Sequence, residues 1–136
     1  MPYEELPHTA DWCLRVWAAD LSLLFAEAAR GMNTISGMQT APGPVIHRTL
    51  DLSTSDAESL LVAFLSELVY AAEQERVMFT SFDISMVERS DGWKLRVEMD
   101  GAPLTSVSKN IKAVTYHNLH IRQSERGLEV EIVFDV

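Results

Sequence analysis

The chain has 136 residues, 47% of them hydrophobic and 23% charged, with 20 acidic against 11 basic side chains for a net charge of -9. These are the proportions of one globular domain, residues 1–136, long enough to bury a core, and they exclude a disordered tail. The acidic balance repels phosphate backbones, so no tight direct binding of nucleic acid by this chain alone is expected.

The amino end, Tyr3-Glu4-Glu5-Leu6-Pro7-His8-Thr9-Ala10-Asp11, follows neither a helical nor a strand period. It lacks the basic and apolar regions of a signal peptide. No apolar run in the chain approaches the roughly 20 residues of a membrane span, so a cytoplasmic location and no membrane partner are expected. Residues 12–18 then alternate, with Trp12, Leu14, Val16 and Ala18 on one parity and Cys13, Arg15 and Trp17 on the other. Period two predicts a strand whose first set faces inward. Asp11 has the parity of Arg15 and is expected to point away from the core at the strand mouth. Asp20 is placed to cap a helix in which Leu21, Leu24, Phe25, Ala28 and Met32 recur at helical spacing. Residues 33–44, with Gly37, Gly43, Pro42 and Pro44, predict a surface loop.

A second strand is predicted near Ile46 to Leu52. Ser55 and Glu58 have the spacing of a capping box, and the helix they would open carries Leu60, Leu61, Phe64, Leu65, Leu68 and Ala72 on one stripe to about Glu75. The remainder predicts strand. Phe82, Ile84 and Met86 alternate with polar residues, Asp91-Gly92 signals a hairpin, and Trp93, Leu95, Val97 and Met99 face inward beyond it. Residues 109–123 alternate less cleanly. Taken as extended, they put Lys112, Tyr116 and His120 on one face and Ile111, Ala113, Leu119 and Ile121 on the other. Leu128, Val130, Ile132 and Phe134 oppose Glu129, Glu131 and Asp135. The order β-α-β-α-β-β-β-β gives an α+β two-layer sandwich, two helices on one face of a mostly antiparallel sheet.

Two carboxylates stand out, Asp11 and Asp135. Both sit at strand ends and point outward by parity, and Asp135 is followed by Val136, which adds the terminal carboxylate. Convergence of these groups would need a hard divalent cation to offset their repulsion, and an oxygen-only donor set suits calcium, magnesium or manganese over zinc. Lys112 belongs to the same polar face or its rim. His117 and His120 fall on opposite faces of a strand, which argues against a zinc pair. His8 has the alternatives of fixing its loop by hydrogen bonds or serving the site. Cys13 is expected to be a packing residue, while Trp17 at outward parity is a candidate for a partner surface. No nucleophile, Walker or dinucleotide motif is present, so the pattern alone predicts a domain that is not an enzyme. A hydrolase using Asp11 and Asp135 as an acid–base pair is a weaker reading.

The same residues carry a resemblance to the archease family: His8-Thr9-Ala10-Asp11, Asp20-Leu21 with Leu24-Phe25-Ala26-Glu27-Ala28-Ala29, Ile111-Lys112-Ala113-Val114-Thr115-Tyr116-His117 and Val133-Phe134-Asp135-Val136. The resemblance implies a small α/β sandwich that assists a GTP-dependent RNA ligase in tRNA splicing or RNA repair, promoting ligase guanylylation and multiple turnover. GTP then belongs to the partner ligase. It implies a metal-binding acidic tip at Asp11, Asp135 and Val136, with Lys112 touching phosphate or the partner. His8, Thr9, Tyr116 and His117, in the same motifs, are candidate supports of that site. The alternative is a chaperone-like modulator of RNA-modifying enzymes such as a tRNA methyltransferase, which an exposed apolar patch around Trp17 would favour.

Overall fold

The alternation at Trp12–Ala18 forms a strand as its period requires, but a strand precedes it. The computed structural model describes residues 2–6 and 12–136, so His8, Thr9 and Asp11 lie outside the described residues. Its elements are β1 (Tyr3–Leu6), β2 (Trp12–Ala18), α1 (Leu21–Ser36), β3 (Gln39–Thr40), β4 (Ile46–Thr54), α2 (Ala57–Tyr70), β5 (Val77–Arg89), β6 (Gly92–Ser106), β7 (Ala113–Val114), β8 (Arg122–Ser124) and β9 (Gly127–Asp135). The four residues of β1 carry no apolar period of their own. Their extended form is supplied by antiparallel pairing with β2, Tyr3 opposite Val16 and Leu6 opposite Cys13.

The class is the α+β arrangement of two helices and antiparallel strands, but the strands form two hydrogen-bonded sheets, not one. The first runs β1-β2-β9, with β7 and β8 both on the far side of β9. In the second, β6 is central and pairs with β5, with β4 and, at its far end, with β3. Helix α1 packs on β1, β2 and β9 of the first sheet and on β5 of the second, while α2 packs on β4 and β6 and on β7. The core is therefore shared: Leu14, Val16, Val130, Ile132 and Phe134 from the first sheet join Leu95, Val97 and Met99 from the second. Phe64 of α2 stacks on Phe25 of α1 at 6.0 Å and meets Phe82 of β5 edge-on at 5.9 Å.

Local chemistry sets the helix ends. Asp20 Oδ1 accepts from the Leu23 N–H at 2.9 Å. The helix runs four residues into the stretch expected to be loop and stops at Gly37, whose φ of 66° lets its N–H reach Thr34 O while Met38 N–H reaches Asn33 O. That is a Schellman termination. Asn33, read from sequence as loop, is buried, and its Nδ2 donates to Phe79 O at 2.9 Å, tying α1 to the second sheet. Gly31 faces β1 and β2 so closely that a Cβ would lie 2.7 Å from Leu14 Cδ2. The expected capping box is also corrected. The cap of α2 is Asp56, whose Oδ1 accepts from the Ser59 N–H at 2.7 Å and whose carboxyl that bond holds below its usual range. Glu58 does not reach back. Its Oε2 accepts from the Ile121 N–H at 3.0 Å, a long-range tie that the local spacing could not reveal. After Tyr70 the helix loosens into a π-helical turn, Ala71–Glu75.

Residues 109–123 are not one strand. They form the short β7, a turn in which Leu119 N–H reaches Tyr116 O, a left-handed Asn118 (φ 51°), and the start of β8. Ile111 is buried and Leu119 and Ile121 pack partly buried against the core, as expected, but Ala113 is exposed and Val114 buried, the reverse of the expected parity at that pair. Lys112, Tyr116 and His120 are all exposed, as the expected face split requires, although turns and not one strand carry them there.

The outward face of the first sheet is polar but partly closed. Arg15 spans three strands, donating to Glu4 Oε1 at 3.0 Å and Glu131 Oε1 at 2.8 Å, and those bonds raise its pKa. Glu129 is buried and takes Arg122 Nη2 at 2.8 Å and Arg126 Nη2 at 3.1 Å. Burial pushes the Glu129 carboxyl up, but the Arg126 hydrogen bond and the Arg126 and Arg122 charges outweigh it and hold the pKa below its usual value. A depressed carboxyl stabilises the fold above its unfolded pKa and loses that contribution as pH falls through its folded one. Glu129→Gln should therefore lower stability by about 2 kcal/mol at pH 7, discounted for the partly exposed arginines. The gap from wild type should close below about pH 4 in urea titrations. A pH-independent gap would assign the loss to packing. Cys13 is buried on this same face and, with its thiol pKa raised by burial, is the packing residue expected.

Candidate functional site

The carboxyl end of β9 is held from both sides. Phe134 is fully buried and pairs with Trp12 on β2 and with Val114 on β7. Alternation then turns Asp135 to solvent. The segment after Lys109 wraps this end. Lys112 N–H donates to Asp135 O at 2.8 Å, and Thr115 donates to Val133 O through its N–H at 3.0 Å and its Oγ1 at 2.9 Å. Val136 is half-buried against the core.

Of the sequence-predicted site residues, the structure thus brings Asp135, Val136 and Lys112 to one corner, with Tyr116 and His117 on the same wrapping segment. Tyr116 is exposed. The His117 N–H donates to Thr115 Oγ1 at 3.3 Å, and its Nε2 lies 3.3 Å from Asn118 Nδ2. Asp11, His8 and Thr9 lie outside the described residues. Among the described residues, no three His, Cys, Asp or Glu side chains converge on a common metal position.

One feature of this corner had no sequence expectation. Lys109 Nζ stands 5.8 Å from the Trp12 ring centroid, a cation–π contact that brings a second lysine of the wrapping segment to the end of β2. The spacing Lys109-x-x-Lys112 was its only trace in the sequence. Trp17, expected to offer a bare aromatic surface, is half-buried, and the Arg126 guanidinium lies 3.7 Å from its ring centroid. His120 approaches Glu58, Nδ1 to Oε2 at 3.8 Å, and belongs to the α2 side. Chemically the corner offers hard oxygen donors at Asp135 and Val136, with Lys112 bonded to Asp135 through its main chain and the Lys109 ammonium over the neighbouring Trp12 ring. That set suits a hydrated cation or a phosphate-bearing surface better than a soft metal. Among the described residues, no helix is long and apolar enough to cross a membrane.

With the geometry in place, comparison with known proteins is specific. Residues 3–136 match the sequence model of the archease protein family. The protein archease of Methanopyrus kandleri is 30% identical over 140 aligned positions, covering 100% of both chains. That of Methanosarcina mazei is 31% identical, covering 98% of this chain and 95% of its own. The solution structure of Methanobacterium thermoautotrophicum protein 1598 superposes with a TM-score of 0.76 at 24% identity, covering 99% of each chain. The crystal structure of an archease, possible chaperone, from Thermotoga maritima gives 0.70 at 17% identity, over 98% of this chain and 96% of that one. At those identities the two structures establish the shared fold.

Proposed function

This chain belongs to the archease family, and we propose that it is an accessory protein that activates a GTP-dependent RNA ligase of tRNA splicing or RNA repair. In this reading it has no turnover of its own and works in the cytoplasm. The observation that carries the reading is the match over residues 3–136, which includes both chain ends where the carboxylates lie. The corner built by Asp135, Val136 and Lys112 supports it from the side of chemistry.

Asp135 supplies an exposed carboxylate, Val136 main-chain oxygens, and Asp11 a further carboxylate. Asp11 is the sequence neighbour of Trp12, which pairs with Phe134, the neighbour of Asp135. Together these oxygens fit calcium, magnesium or manganese. A bound divalent cation would offset their mutual repulsion and present positive charge to the phosphates of the ligase's GTP. Lys112, fixed through its main chain to Asp135, carries an exposed, flexible cation within reach of a docked partner, where it meets phosphate or an acidic ligase residue. The acidic surface of the chain steers the encounter toward a basic cleft.

The test is transfer of labelled GMP to the partner ligase, with GTP and manganese and the accessory chain substoichiometric. Wild type is expected to stimulate by about tenfold or more, the ordinary range of a coupling energy. Asp11→Ala, Lys112→Ala and Asp135→Ala should each lose most of that stimulation. Stimulation retained in all three would keep the accessory role and overturn this site. No stimulation of a competent ligase would favour the second reading, a chaperone-like modulator of an RNA-modifying enzyme such as a tRNA methyltransferase. That alternative draws on the description of the Thermotoga maritima relative as a possible chaperone. The covering of Trp17 by Arg126 removes the patch that would have favoured it.

A further inference from the structure

We propose that the cleft below the end of α2 is a second docking site, for an acidic segment of a protein partner that inserts one large apolar side chain. The proposal rests on the accessory-protein reading and names a contact that adjoins the carboxylate corner at Lys112 but is otherwise lined by different residues. The cleft has a volume of ≈ 290 Å³, with Val69, Leu104 and Ile111 among its apolar lining and Arg76, Lys112 and Glu73 as its charged groups. That size sits at the bottom of the range of about 300–1,000 Å³ for ligand pockets, room for one side chain more than for a whole cofactor.

Arg76 is the informative residue. It follows the π-helical turn and adopts a left-handed backbone (φ 56°), its N–H closing on Ala71 O. Glycine or asparagine takes that conformation with less strain, so the backbone does not ask for arginine. Nor does a salt bridge: Arg15, Arg30, Arg48, Arg96, Arg122 and Arg126 all lie within 4.0 Å of a carboxylate, whereas among the described residues Arg76 and Lys112, like Arg89, Lys94 and Lys109, have no such partner, and of these five only Arg76 and Lys112 line the cleft. In a chain of net charge -9, a cleft rim of two cations without ion-pair partners and one carboxylate, Glu73, keeps a local positive excess that complements a carboxylate next to a hydrophobic group. Both cations are solvent-exposed. A free small anion would stay hydrated there and gain little, while a peptide adds main-chain and flanking contacts around the same charges.

The test titrates the isolated chain with a capped peptide, Gly-Ser-Asp-Phe-Glu-Ser-Gly, followed by ¹⁵N amide shifts. The controls replace its acidic residues by lysine, or its phenylalanine by serine. Shifts should centre on the amides of Val69, Ala72, Arg76, Leu104 and Ile111, and both controls should bind at least about tenfold more weakly. Arg76→Gly should keep or raise the melting temperature yet weaken the acidic peptide about tenfold. A purely structural arginine would show neither effect. Equal binding of acidic and basic peptides, or unchanged affinity in Arg76→Gly, overturns the proposal. So does equal binding of hydrocinnamate alone, which would make the cleft a small-anion site. Because no ligase is present, failure here with GMP transfer intact sinks only the cleft, and the converse result sinks only the ligase reading.

Discussion

Replacing Phe64 by alanine is expected to lower the unfolding free energy by about 4 kcal/mol, within the range for buried aromatic truncations. Phe64 has no solvent exposure and touches three layers at once. Its ring stacks on Phe25 of α1, meets the edge of Phe82 on β5, and springs from α2. Removing it takes away its own transfer energy and also the aromatic contacts of both partners, and a close-packed interior relaxes only partly into the void. Against a total stability of about 5–15 kcal/mol, the variant keeps a folded majority at low temperature but melts roughly 8–16 °C earlier. Urea unfolding should show a lower midpoint at unchanged slope. A loss under about 1.5 kcal/mol would mean that the helices close over the cavity and that the cross-layer stack is not the centre of the core. The site should be indifferent to this change: in the folded population, stimulation of GMP transfer is expected to match wild type.

The helices were legible because their determinants are local. Asp20 and Gly37 act within one turn of the helix they bound, and the stripes of α1 and α2 are what a 3.6-residue period writes. The strands of the hairpin β5-β6 and of β9 were legible for the same reason. What escaped depends on residues far apart in the chain. Glu58 sits at capping-box spacing, but its carboxylate satisfies the Ile121 N–H, which no local rule anticipates. Tyr3–Leu6 becomes a strand because β2 offers an edge, and Asn33 stays helical and buried because Phe79 O accepts its amide. Parity named Arg15, Trp17 and Glu129 as outward, which is true of direction only. The arginines of β2, β8 and the turn before β9 then fold over that face and bury the Glu129 carboxylate.

The candidate site divides along the same line. Asp135 was readable because strand alternation runs to the end of β9, and its contact with Lys112 is a main-chain bond that pairing of β7 with β9 imposes. Parity over 109–123 placed Lys112, Tyr116 and His120 outward but misassigned Ala113 and Val114, because that segment is turn and bridge, with Asn118 left-handed. Arg76 left no signal at all. Its significance comes from its φ and from its place at the rim of the cleft, and neither is a property of sequence spacing.

Phe134→Ala is expected to be as costly as Phe64→Ala, about 4 kcal/mol, since Phe134 too is fully buried in the core. Its additional effect distinguishes it. Phe134 pairs across to Trp12 and to Val114, so it seats the two segments that flank Asp135, and the Lys112 N–H to Asp135 O bond depends on that seating. Hydrogen exchange at a matched loss of global stability separates the two variants. In Phe64→Ala the Lys112 and Thr115 amides should track global unfolding. In Phe134→Ala they should exchange faster than global unfolding allows, the mark of a local opening. Stimulation of GMP transfer should fall with them at a temperature where the chain is still folded, because an exposed carboxylate is useful only while its main chain holds position. If the Lys112 amide stays as protected as in Phe64→Ala, the corner is held by Val136 and the wrapping segment, and core packing at Phe134 does not set the site geometry.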